Sequence, residues 1–250
     1  MLGSMISSPE RRCVAPLWVA LFLLPGLLTA CGPSEVAVKG QFPSPLMQKL
    51  PLNMGVWYEE DFRTHEFFDE AKGRAESGWI VKTGDAQLDM WNTLLPGMFR
   101  HLQHMPSRPQ PGKMNPAVDA VLIPHIEELQ YAIPAHTNVK VYEIWMRYRF
   151  ELLSASGKPL GEWTMTAYGK TPTAFLQSDE AAVNLAAVVA LRDAGANFAT
   201  NFTRVPQVRD WLKQRRDRLA GGEQPARNPP TGRPVQNPTP DRAPLAETRQ

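Results

Sequence analysis

A run of alternating side chains in the second half of the chain most narrows the range of possible folds. From Val139 to Leu153, aromatic and aliphatic residues alternate with charged ones, and a second alternating run extends from Leu160 to Tyr168. The tetrapeptide Ser154–Gly157 between them is typical of a turn. Because strict alternation over this length is the signature of paired strands, the sequence predicts a long β-hairpin over about residues 139–169.

The alternation also predicts which face of the hairpin is buried. Side chains of successive strand residues point to opposite faces, so Tyr148 and Phe150 must share the core with Trp163 and Met165. The opposite face then carries a mixture of aromatic, charged and small polar side chains: Trp145, Arg147, Arg149, Glu162, Thr164 and Tyr168.

This second face is the best candidate for a binding surface. Tyr, Trp and Arg are enriched among the residues that dominate protein interfaces. We therefore expect Trp145, Arg147, Arg149 and Tyr168 to contact a protein partner, together with Trp211 near the end of the folded chain. The alternative is that a second layer, reached through Trp211, covers Trp145 while the charges pair along the rim.

Apolar periodicity predicts the remaining elements. The predicted strands are 52–58, 77–82 and 120–129, and the predicted helices are 85–103, 180–202 and one that begins at Pro206. We expect Pro96 to kink the first helix, Ser178 or Asp179 to cap the second, and the Pro-rich stretch 105–116 to be a loop. This order favours an α+β fold, with an antiparallel sheet and helices packed on one face.

The N-terminus has the features of a secretory signal peptide. Residues 14–30 carry no charge, and Arg11 and Arg12 stand directly before them. The run is short for a membrane-spanning helix and contains Pro16 and Pro25.

The end of this run, Leu28-Thr29-Ala30-Cys31, resembles the lipobox of bacterial lipoproteins. The resemblance implies cleavage before Cys31, lipidation of its thiol and acylation of the new amino terminus. An uncleaved anchor helix or an ordinary signal peptide is the alternative. Gly32, rather than Asp, follows the cysteine, which by analogy with enteric lipoproteins implies the outer membrane, facing the periplasm. The inner membrane and the cell surface are the other possible locations.

These features divide the chain into four segments. We expect a signal peptide at 1–30, a tether rich in Gly and Pro at 31–50, one α+β periplasmic domain at 51–218, and a disordered, basic, Pro-rich tail at 219–250.

No motif predicts a metal, a cofactor or a nucleic acid. Of the five His residues only His101 and His104 share a face of a predicted helix, and neither has acidic neighbours that would complete a metal site. Phosphate-binding glycine loops are missing from the sequence, so we expect no cofactor. The formal net charge of +2 is too balanced for a dedicated nucleic-acid binder.

The sequence also carries no motif that presents a catalytic nucleophile. Acidic residues do cluster at Glu59-Glu60-Asp61 and at Glu127-Glu128, where paired carboxylates could serve in glycoside cleavage. Adjacent acidic residues more often lie on a solvated surface, and we expect the protein not to be an enzyme. A cell-wall hydrolase using Glu59, Glu60 or Glu127 is a third hypothesis.

The segment from Ala120 to Leu212 is similar to the accessory lipoproteins of export and envelope-assembly systems. The similarity lies in a strand with an Ile-Pro pair, the hairpin, the Ala-rich helix and Pro206. That family includes the curli-secretion lipoprotein, activators of penicillin-binding proteins and polysaccharide-export lipoproteins. The resemblance implies a compact α+β domain that docks on other proteins. The first functional hypothesis is therefore a non-enzymatic accessory subunit of an envelope assembly or transport complex. The second is a lipid- or solute-binding lipoprotein, with a cavity between the hairpin and the Pro96 helix.

Overall fold

The computed structural model describes residues 33–69, 78–134, 141–172 and 178–222. The predicted signal peptide, the predicted lipidation site Cys31 and the predicted tail beyond Gly222 lie outside the described residues. The strands are β1 (Ser34–Ala37), β2 (Leu50–Val56), β3 (Glu66–Asp69), β4 (Trp79–Lys82), β5 (Phe99–His104), β6 (Ala120–Ala132), β7 (Val141–Ser154) and β8 (Pro159–Pro172). The helices are α1 (Glu60–Arg63), α2 (Gly84–Met98), α3 (Asp179–Asn201) and α4 (Pro206–Gly222), with a 3-10 turn at Phe202–Arg204.

The main sheet confirms the α+β class, and its two halves differ in strand direction. Five strands pair in the order β5-β2-β6-β7-β8. β6, β7 and β8 are antiparallel, as predicted, whereas β2 is parallel to both β5 and β6. The sheet is therefore mixed rather than wholly antiparallel. The reason is that α2 carries the chain back across the sheet between β2 and β5, and a helical crossover returns the next strand in the same direction.

A second, three-stranded sheet has the order β1-β4-β3 and includes part of the predicted tether. β1 pairs in parallel with β4, so that Ser34 lies beside Trp79. The side chains of Val36 and Val38 are only 4% and 3% exposed. The first described part of the predicted tether, Ser34–Ala37, is thus a strand, although the 31–50 segment is rich in Gly and Pro.

The hairpin forms as predicted, slightly longer than expected. Tyr148 pairs with Met165 and Phe150 with Trp163, which is the predicted set of core-facing positions. Tyr148 and Phe150 are fully buried. Gly157 adopts a φ of +75° in the connecting turn, a conformation that favours glycine.

The first predicted helix ends earlier than its apolar periodicity suggests. α2 stops at Met98, and Phe99–His104 forms β5 instead of the last helical turns. Pro96 and Gly97 lie in the last turn of α2, where they end the helix rather than kink its middle. His101 and His104 consequently lie on a strand, where positions three apart point to opposite faces, and not on one helical face.

The core lies between the main sheet and the two helices α2 and α3. Trp91 of α2 is fully buried, and its ring lies 5.9 Å from Tyr148, 5.4 Å from Phe150 and 5.0 Å from Phe198. The cavity predicted between the hairpin and the Pro96 helix is therefore not there, because large aromatic rings fill that space. Ser178 caps α3, accepting a hydrogen bond from the backbone N–H of Ala181 at 3.2 Å.

The folded part has two distinct poles. α4 lies across the starts of β8, β6 and β2: Gln207 contacts Gly161, Arg215 binds Asp119, and Leu212 lies near Leu50. We call this end the basic pole. The three-stranded sheet lies at the other end, where Phe67 and Trp79 pack against Tyr131 near the end of β6. We call that end the β1 pole.

Candidate functional site

The predicted binding surface lies on the face of the main sheet that faces away from α2 and α3. Trp145 is 39% exposed, and its ring lies 5.1 Å from that of Tyr168 on the neighbouring strand. Arg147 bonds to Glu128 at 3.1 Å, with the Arg side chain 53% exposed. The structure thus brings Trp145, Tyr168 and Arg147 together. We call these three residues the Trp145 surface.

Tyr168 is held in place by a charged neighbour. Its hydroxyl donates a 2.5 Å hydrogen bond to Glu143 Oε1. This bond, together with burial and the negative charge of Glu143, raises the pKa of Tyr168 to about 12. The phenol is therefore a neutral donor at physiological pH, and the Trp145–Tyr168 pair presents two ordered aromatic rings.

The other two predicted contact residues occupy different environments. Arg149 bonds to Glu151 at 2.7 Å and to Glu127 at 3.2 Å, and it lies 3.7 Å from Glu162. The hydrogen bond to Glu151 raises the pKa of Arg149 above its ordinary value. Trp211 is only 5% exposed and belongs to the main core. Trp211 is therefore a core residue that cannot present its ring to a partner, and it does not cover Trp145.

Sequence reasoning did not predict a cluster of charges around His125 in β6. We define the His125 cluster as Glu59, Arg108, His125, Arg149 and Glu151. His125 Nδ1 lies 3.0 Å from a Glu59 carboxylate oxygen, and Nε2 lies 3.0 Å from a Glu151 carboxylate oxygen without hydrogen-bond geometry. Arg108 reaches from the Pro-rich loop to both Glu59 and Glu151.

Burial and ion pairing act in opposite directions on Glu151, whose side chain is only 14% exposed. Burial by itself would raise the pKa of this carboxyl group. Hydrogen bonds from Arg149 and Arg108, helped by the nearby positive charges, outweigh burial and hold the pKa of Glu151 below its ordinary value. Glu151 is therefore an ionised anchor for two guanidinium groups.

A polar cavity of about 440 Å³ opens beside this cluster. Glu59 and Glu127, two of the carboxylates considered for hydrolysis, line it together with His125 and Arg149. Glu60 does not line this cavity, and its carboxylate faces Arg63 on the surface at 3.9 Å.

Two of the missed residues had a signal in the sequence. His125 lies directly opposite Arg149 across the β6–β7 pair, and Glu151 follows Arg149 on the same face of β7. A charge alternation such as Arg147, Arg149, Glu151 therefore suggests a row of ion pairs once the partner strand is known. Arg108 comes from a loop, and no periodic pattern points to it.

Within the described residues, no group of three or more His, Cys, Asp or Glu side chains is arranged to hold a metal ion. In the same residues no helix is both long and apolar enough to cross a membrane.

An apolar groove of about 470 Å³ lies elsewhere, between α2, α3 and the segment that precedes β2. Phe42 and Pro45 form one wall, and Leu94 and Ala199 are among the residues of the other. Leu46 at its edge is fully exposed to solvent.

Comparison with known proteins yields structural likenesses and no sequence match. No family model matches the sequence, and no curated protein matches it. A Xanthomonas campestris protein of the DUF330 family is 13% identical with a TM-score of 0.44, over 74% of this chain and 99% of that chain. A Caulobacter crescentus protein described as a lipoprotein is 13% identical with a TM-score of 0.30, over 41% of this chain and 74% of that chain. A minor lipoprotein from Acinetobacter baumannii is 9% identical with a TM-score of 0.33, over 62% of this chain and 92% of that chain. At these identities and TM-scores, no function carries over from the three proteins to this chain.

Proposed function

We propose that the protein is a non-enzymatic, lipid-anchored lipoprotein of the bacterial envelope that serves as an accessory docking subunit of an assembly or transport complex. The lipobox-like sequence Leu28-Thr29-Ala30-Cys31 is the observation that carries this proposal. The first strand begins at Ser34, only three residues after Cys31. Three extended residues span ~10 Å. An acyl anchor on Cys31 would therefore hold the β1 pole close to the membrane surface.

The Trp145 surface is the proposed docking site. It combines two neighbouring aromatic rings, tilted by 35° to each other, with an exposed guanidinium group, which is the composition of interface hot spots. Its ion pair between Arg147 and Glu128 is solvent-exposed, so a partner carboxylate can compete for the guanidinium group at small cost.

The pairing of the acidic residues supports a non-enzymatic role. Glu59, Glu127 and Glu151 each face an arginine or His125 within 4 Å. A general acid needs a carboxyl group whose pKa is raised toward neutrality, whereas the ion pairs with Arg149 and Arg108 hold the pKa of Glu151 below its ordinary value. The His125 cluster is suited to tying α1 and the Pro-rich loop to the sheet.

Crosslinking with matched variants of the full chain tests the docking proposal. The double variant Trp145→Ala/Arg147→Glu removes the ring and reverses the charge, and Lys158→Glu in the hairpin turn is the control. Arg149 is left intact, because a negative charge at that position would face three glutamates. We expect one dominant envelope protein to be crosslinked in cells by the native chain and by the control, and to be lost from the double variant at an unchanged melting temperature. Equal crosslinking by all three proteins would contradict the proposal.

The apolar groove favours lipid or solute binding as the second candidate function. Its volume of about 470 Å³ is within the range of ligand pockets, and most of its lining is apolar. Native mass spectrometry of the full chain tests this candidate, with Ala199→Trp filling the groove. A co-purifying acyl ligand that disappears in the variant would support it, and a ligand-free native protein would argue against it.

A further inference from the structure

The basic pole carries a groove that none of the functions considered above uses. The groove has a volume of about 310 Å³ and lies between α4, the start of β2 and Thr203. Its apolar side consists of Leu50, Pro51, Leu52 and Leu212, and its basic side of Arg209, Arg215 and Arg216. We propose that this groove binds an acidic peptide segment of a partner protein that also carries apolar side chains.

The charges of α4 favour an anionic partner. The helix has five basic and two acidic residues within Pro206–Gly222. Arg215 donates a 2.7 Å hydrogen bond to Asp119, which fixes its guanidinium group at the base of the groove. Arg209 lies 3.7 Å from Asp210 with both side chains about two-thirds exposed, a weak pair. Arg216 forms no ion pair with another described residue. The guanidinium groups of Arg209 and Arg216 therefore have donors to spare, and a guanidinium group matches the two oxygens of a carboxylate.

The position of the groove argues for a peptide rather than for the membrane that holds the anchor. Lys39, just after β1, hydrogen-bonds to Asn184 in the early turns of α3, whereas α4 follows directly after the end of α3. α3 has 23 residues, so it is ~34 Å long. The basic pole and the β1 pole are thus separated by most of the length of the domain. If Cys31 anchors the β1 pole, the groove lies at the end of the domain far from the anchor.

The lining of the groove narrows the chemistry further. Four apolar residues lie beside the three arginines, so a purely polar polyanion would leave half of the groove without complementary contacts. A segment in which acidic and apolar residues alternate would satisfy both sides at once. The inference that the groove lies far from the membrane rests on the proposed anchor at Cys31. The inference that it binds an acidic and apolar peptide does not.

Fluorescence anisotropy with the full chain in detergent tests the inference. The probe is a fluorescein-labelled peptide of alternating Asp and Leu, and the comparison probes replace Leu by Ser or Asp by Lys. We expect the Asp–Leu peptide to bind most tightly, with an affinity that falls as salt rises.

Matched charge reversals locate the binding. Arg209→Glu/Arg216→Glu should weaken binding at least tenfold, whereas Lys39→Glu/Arg63→Glu near the β1 pole should leave it unchanged. Equal weakening by both pairs, no binding of the Asp–Leu peptide, or binding only to phosphatidylglycerol vesicles would overturn the inference. Binding by a Cys31→Ala variant should equal that of the native chain, which separates this result from any failure of the lipoprotein proposal.

Discussion

Gly169 of β8 lies directly against Ala186 of α3: a Cβ atom at position 169 would be 2.1 Å from the carbonyl oxygen of Ala186 and 2.3 Å from the backbone nitrogen of Ala190. Both clashing atoms belong to the helix backbone, so no side-chain movement can relieve the contact. The Ala-rich face of α3 and this glycine together set the distance between helix and sheet.

We therefore expect Gly169→Ala to lower the free energy of unfolding by about 3 kcal/mol, because α3 must move away from the hairpin. Urea denaturation of the full chain measures this change. Gly221→Ala is the control, because a Cβ there meets nothing within 4 Å, and its stability should be unchanged or slightly raised. Equal stability of both variants would show that the helix does not rest on Gly169.

A buried polar pair inside the core gives a second prediction. Tyr148 donates a 2.9 Å hydrogen bond to Gln87 Oε1, and both side chains are fully buried. Tyr148→Phe removes the donor and leaves a buried amide oxygen without this partner, so we expect a loss of about 2 kcal/mol in the free energy of unfolding.

Replacing both members of this pair separates the hydrogen bond from packing. In Tyr148→Phe/Gln87→Met no stranded acceptor remains, and we expect the double variant to regain part of the loss caused by Tyr148→Phe. A double-mutant cycle with Gln87→Met alone completes the measurement. Strict additivity of the two single changes would contradict the proposed coupling.

Glu151 makes the stability of the protein depend on pH in the acid range. Its pKa is lower in the folded chain than the ordinary value of 4.5, so its contribution is complete above about pH 4.5 and is lost as the pH falls through the folded-state pKa. The difference in unfolding free energy between the native chain and Glu151→Gln should therefore be largest near neutral pH and should shrink below pH ~4.5.

Denaturant titrations at several pH values between 3 and 7 check this expectation, with Glu162→Gln as the matched control. Glu162 is 61% exposed, so its loss should change stability by less than about 1 kcal/mol. A Glu151→Gln deficit that stays constant down to pH 3 would mean that Arg108 and Arg149 do not stabilise the ionised carboxylate.

The sequence predicted the hairpin correctly because the two alternating runs fix both the strands and the buried face. Tyr148 opposite Met165 follows directly from the parity of their positions once the turn is assigned. Ser178, Pro206 and the Pro-rich loop were likewise visible, because capping and proline act through local geometry.

The elements that sequence reasoning missed depend on long-range pairing. β1 and β3 are four-residue strands that are ordered by β4, and β5 is stabilised by pairing with β2 rather than by its own propensity. The apolar pattern of the preceding helix continues through Phe99–His104, so the sequence predicts a helix there. The parallel pairing with β2 explains why this stretch forms a strand instead.

The candidate site could be predicted only in part. Trp145, Arg147 and Tyr168 share one face, as the alternation indicated, but pattern alone did not separate the exposed Arg147 from the enclosed Arg149. The burial of Trp211 and the arrival of Arg108 from a loop both depend on tertiary packing, which has no short-range signature.

The intact mass of the full chain, purified from the membrane fraction, tests most directly whether Cys31 carries the proposed membrane anchor. A Cys31→Ala variant is the control. We expect a chain that begins at Cys31 and carries diacylglyceryl and acyl groups, whereas the control should retain residues 1–30 and carry no lipid. A native chain that retains residues 1–30 with an unmodified Cys31, or that is cleaved elsewhere without lipid, would contradict the account.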